Sequence, residues 1–171
     1  MKICVRYNEV GKGQSPMNEF EMSRYITETF VGVDVVVEAG NSFFFYNPDP
    51  SILPDHMFPW VTLMTNDVND QFSNLDRPSI YRLNIGVSKA TFQTLFGSSK
   101  RSVGKDSTEQ GEAVFSGYDF TALDRVMPHP VYGKMYWVCV LNPRDATLET
   151  TVRPLLDEAY AMAANKYSSR R

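Results

Sequence analysis

Histidine and cysteine are scarce in this chain of 171 residues, with two of each: His56 and His129, Cys4 and Cys139. No Cys-x-x-Cys or His-x-x-x-His spacing exists, which excludes the usual zinc ligand sets. Asp67, Asp70 and Asp76 are neighbours in sequence but lack the spacing and terminal Glu of a calcium loop. Long hydrophobic runs are also missing. None approaches the roughly 18–20 residues that cross a bilayer, and the first fifteen residues lack the apolar stretch of a secretory signal. Basic excess is absent: 17 Lys and Arg face 20 Asp and Glu, a net charge of −3. That argues against the nucleic-acid backbone as main partner. Gly-rich phosphate motifs fail as well. The segment 97–106, GSSKRSVGKD, resembles a Walker loop only superficially, because Gly97 is two positions too early and Asp106 replaces the Ser or Thr.

What remains is a chain with 43% hydrophobic, 13% aromatic and 22% charged residues. That is enough apolar material for one well-formed domain, with no need of a disulfide. A reduced, cytoplasmic setting, no membrane association and no cofactor are therefore expected. Residues 1–15 read as an N-terminal extension, in which 2–7 alternates as an edge strand would, and residues 16–171 as one domain.

Ser15 and Pro16 predict a helix start, and Met22, Ile26, Phe30 and Val33 follow at helical spacing. A helix over 17–30, closed by Gly32, is expected. The β-branched run 33–39, a turn at Gly40 and Asn41, and a strand over 42–46 predict a hairpin. A loop over 47–58 leads to a strand over 59–65, and a polar loop over 66–78 follows. There Asp76-Arg77-Pro78 reads as a turn held by the Asp side chain. The clearest alternation comes next: Tyr81, Leu83, Ile85 and Val87 face one way, Arg82, Asn84 and Gly86 the other. Ser88 then caps a short helix with Phe92, Leu95 and Phe96 as its inner stripe, ended by Gly97. Residues 98–117 lack periodicity and read as a long surface loop, open to trypsin at Lys100, Arg101 or Lys105. Asp124 and Arg125 read as an exposed ion pair. An apolar run over 135–141 predicts a buried strand, with Cys139 as a core residue. The closing helix places Val152, Leu155, Leu156, Ala159 and Ala163 on one face and Asp157 and Glu158 toward solvent. Pro154 requires its regular part to start near Thr151, after an irregular lead-in over 146–150. The order α-β-β-β-β-α-loop-β-α describes an α+β fold, a single antiparallel sheet with helices packed on it.

Within this pattern His129 stands out. It lies between Pro128 and Pro130, which hold the backbone on both sides, directly before the 135–141 strand. Its imidazole, the Tyr132 hydroxyl, and Arg82 and Asn84 on the polar side of their strand form a candidate ligand-binding set, should the sheet curl around an opening. The plainer readings are a structural His129 bonded across its turn and an Arg82–Asn84 pair in surface or structural contacts.

The strings FVGVDVV, FFFYNPD, FPWVTLMTND, DRPSIYRLNIGVSKATFQTLFG, FTALDRVMPHPVYGKMYWVCVLNP and VRPLLDEAYAMA, in that order, resemble an uncharacterised bacterial domain-of-unknown-function family (family 6194). The resemblance covers about 17–167 and implies no activity. In element order, with a Trp-bearing strand and Tyr160 in the closing helix, the chain is also similar to YjbR/CyaY-like proteins. That likeness implies a double-wing arrangement, sometimes proposed to bind DNA. Glu19, Glu21 and Glu28 are too sparse for the acidic ridge with which frataxin-type relatives hold iron. The expected function is a binding or interaction module for a small molecule or a protein, with its pocket near His129. A small-molecule enzyme using His129 as general acid/base and a double-wing-type DNA-binding protein are the alternatives.

Overall fold

The computed structural model describes residues 16–49, 57–97, 115 and 117–169. The expected N-terminal edge strand, the loop of tryptic sites and Cys4 lie outside them. The architecture is α+β, one open antiparallel sheet of six strands ordered β1-β2-β3-β4-β6-β5. The strands are β1 (Val33–Glu38), β2 (Asn41–Tyr46), β3 (Val61–Met64), β4 (Arg82–Gly86), β5 (Met127–Pro128) and β6 (Trp137–Leu141). The helices are α1 (Glu19–Thr29), α2 (Lys89–Phe96), α3 (Asp145–Thr147) and α4 (Arg153–Ser168). Among the described residues no helix is long and apolar enough to cross a membrane.

Alternation along the strands divides the core in two. Phe44, Val61, Leu63, Leu83, Ile85, Val138 and Val140 pack against Met22 and Ile26 of α1 and Leu155, Leu156 and Ala159 of α4. On the other face Met64, Cys139 and Leu141 meet Leu75, Phe120 and Met127. Helices cover the first face. Irregular segments cover the second, including the one between β3 and β4, which is therefore more than a polar loop.

Several expectations change in detail. Asn18, not Ser15, caps α1: its side chain accepts from Glu21 N–H, and the Glu21 carboxylate accepts from Asn18 N–H. Val33 belongs to β1 and not to the helix stripe. The hairpin turn is Ala39-Gly40, with φ of 48° and 80°, so Asn41 already pairs with Glu38. Leu95 of α2 is exposed, and the Phe92 ring packs edge-on against Phe96 instead. The 76–78 turn is held by the Arg77 guanidinium, which donates to the Asn74, Ser73 and Thr121 carbonyls. Asp124 engages Arg144, while Arg125 stacks over Tyr118. Met135 sits in a 3-10 turn, Gly133–Met135, ahead of β6. The lead-in to α4 is helical rather than irregular: α3 runs into a π turn, Leu148–Val152, which widens the helix just before Pro154. Glu158 accepts a hydrogen bond from the Thr91 hydroxyl of α2 and does not simply face solvent.

The two ends of the sheet differ. β5 is two residues long and buried, with α2 beside it. β1 is six residues long, and Val35, Val36 and Val37 are exposed, the last by 66%. Among the described residues no strand lies beyond it.

Candidate functional site

Arg82 projects from β4 onto the loop-covered face, as its alternation with Leu83 requires. Its side chain is 1% exposed. A buried guanidinium needs acceptors for five N–H bonds, and four are met at short range. Nε donates to Asn84 Oδ1 at 3.0 Å, and Nη1 donates to Asp70 Oδ1 at 2.9 Å and Ser73 Oγ at 2.8 Å. Nη2 donates to Asp70 Oδ2 at 2.6 Å, completing a two-pronged grip on the carboxylate. Asn84 passes the network on, its Nδ2 donating to Thr62 Oγ1 at 2.9 Å. Burial raises the Asp70 carboxyl, but the hydrogen bonds and charge of Arg82 more than reverse this and hold it below its ordinary 3.8.

His129 is 2% exposed. Its Nδ1 accepts from Val131 N–H and Tyr132 N–H, both at 3.1 Å. The ring proton therefore sits on Nε2. Burial, then the Arg82 charge, pushes the imidazole down from 6.5 to about 3, with Asp70 opposing them. The Tyr132 ring is 5.0 Å from the imidazole, but Tyr132 is 52% exposed. Of the four sequence candidates, Arg82 and Asn84 are hydrogen-bonded together, His129 is close enough to feel the Arg82 and Asp70 charges, and Tyr132 is at the surface. Sequence reasoning missed Asp70 and Ser73. A cation on the inner side of a strand calls for a carboxylate, and the preceding loop offered three, without a spacing to choose among them.

On its chain side His129 serves β6: its N–H donates to the Trp137 carbonyl at 2.9 Å, and its carbonyl accepts from Gly133 N–H at 3.0 Å. Beyond Trp137 opens a cleft of about 590 Å³. Trp60, Gly86 and Trp137 form its wall at one end of the strands, with Met162, Ala163 and Lys166 of α4 opposite. Small residues leave the space open. Gly86 also lets the Trp137 indole lie close, since a Cβ there would meet its Cε2 at 3.3 Å. Trp60 is held edge-on against Phe30 and Tyr160, at 5.2 and 5.7 Å between ring centres. Its indole N–H is buried and has no acceptor among the described residues. The sequence did not single out this cleft, although both tryptophans of the chain line it.

No group of three His, Cys, Asp or Glu side chains among the described residues could hold a metal ion. The model of a family of unknown function, DUF6194, matches residues 17–171. No curated protein and no solved structure matches the chain, so the double-wing likeness rests on element order alone.

Proposed function

We propose, for a chain that belongs to the family of unknown function DUF6194, that it is a non-catalytic binding module for small, largely apolar molecules. The observation that carries this reading is the cleft of about 590 Å³ between α4 and the strand ends. Its size is that of a small-molecule site, and apolar and aromatic side chains dominate its wall. In this reading His129, Arg82 and Asn84 are positioning residues. They fix β4 and β6, which carry Gly86 and Trp137, and Tyr132 covers the imidazole from outside. An enzyme using His129 as general acid/base is not favoured, because burial pushes the imidazole down to about 3 and so disfavours its taking up a second proton near neutrality. We place the protein in the cytoplasm, consistent with the free thiol of Cys139.

Fluorescence titration with Nile red, a neutral apolar probe, tests the reading. Saturable binding is expected, and Ala163→Leu, which fills the cleft from α4, is expected to abolish it without lowering the melting temperature. His129→Asn retains an acceptor for the turn and is expected to keep probe affinity. A marked loss with an unchanged fold would return His129 to the ligand-contacting role.

A further inference from the structure

The polar atoms around the cleft are unequal in kind. Lys166 provides a cation, and its Nζ lies 5.7 Å from the centre of the Phe58 ring. Among the described residues no carboxylate lies within ion-pairing distance of it. Tyr46 and Tyr167 provide phenol rings, whereas the Trp60 N–H is closed off from the space. Among the described residues no Asp, Glu, Asn, Gln or His lines the space. An ammonium beside an apolar wall, with no carboxylate paired to it among the described residues, matches an anion better than a neutral or cationic group. Met57, Met135 and Met162 supply the remaining character, adaptable thioethers that suit a flexible apolar body.

We infer that the cleft takes an apolar monocarboxylate, its carboxylate received by Lys166 and its apolar body laid along Trp137, Gly86 and Ala163. The inference rests on the binding reading above and adds the charge of the occupant. Its selectivity is local, since the protein as a whole carries a charge of −3 and repels anions at a distance.

The test is displacement of Nile red by three ligands of one chain length, decanoate, decan-1-ol and decylammonium, each below its micellar concentration. Decanoate is expected to bind about tenfold tighter than decan-1-ol, the scale of one charge-assisted hydrogen bond. Decylammonium is expected to bind weakest. Lys166→Met removes the charge and keeps the chain length. It should bring decanoate and decan-1-ol level while Nile red affinity stays, and Lys166→Arg should restore the preference. Equal displacement by all three ligands, with Nile red still expelled by Ala163→Leu, would overturn the carboxylate inference and leave the binding reading intact. No saturable Nile red binding, or binding that survives Ala163→Leu, would overturn both.

Discussion

A guanidinium closed off from water has to find its acceptors inside the protein, and Arg82 finds them on Asp70, Ser73 and Asn84. Such a pair adds little over well-packed apolar residues, but removing one partner strands the other charge. Arg82→Ala is therefore expected to cost roughly 3–5 kcal/mol in urea melts. The double variant Arg82→Met with Asp70→Leu is expected to be far less destabilised. His129 carries a second consequence. Its folded pKa of about 3 lies below the unfolded 6.5, so between these values the unfolded chain binds more protons. Its contribution is fully present above 6.5 and is lost as pH falls through about 3, at about 1.4 kcal/mol for each tenfold difference in proton affinity between the folded and unfolded chain. Asp70, held below 3.8, adds a loss in the same direction at the acid end. Thermal melts from pH 7 to 4 should show the slope, and His129→Asn should flatten it. A variant as pH-sensitive as the parent would mean that the imidazole charges freely in the folded protein.

At the scale of elements, amphipathic spacing is the most dependable guide. Leu155, Leu156 and Ala159 of α4 are buried, as their spacing implied. Leu156→Ala is expected to cost roughly 2–5 kcal/mol through the cavity it opens beneath the helix, read as a shift in urea midpoint at constant slope. The alternation over 81–87 was equally legible and put Arg82 and Asn84 on the face away from Leu83. What covers that face was not legible, because the segments between β3 and β4 and before β5 have neither helical nor strand period. The charge partner of Arg82 lies in one of them. β5, at two residues, is too short to show alternation at all. The π turn was hidden for a different reason: one additional residue in a helix changes the phase of its faces without altering composition. Pro154 announced that something irregular had to precede it, but not that the accommodation would be helical.

At the scale of the whole molecule, composition and element order were sufficient for the α+β class, whereas the cleft depends on distant parts of the chain meeting. Gly86 and Ala163 define it by what they lack, and a small residue gives no periodic sign of the space it leaves. Net charge speaks at this scale too. A protein of charge −3 is expected to show no specific DNA affinity at physiological salt in a gel shift. Sub-micromolar binding that weakens steeply with salt would instead favour the double-wing reading. The unequal ends of the sheet have a further consequence. Unpaired strand edges are where folded proteins join sheet to sheet, and among the described residues only β1 presents a long one. The opposite end is closed by Pro128, which has no N–H to offer, and by α2 beside it. Among the described residues, joining through this sheet thus has a valence of one. Two copies meeting β1 to β1 use up both edges and form a closed pair, whereas a growing fibril would need a second edge on every copy.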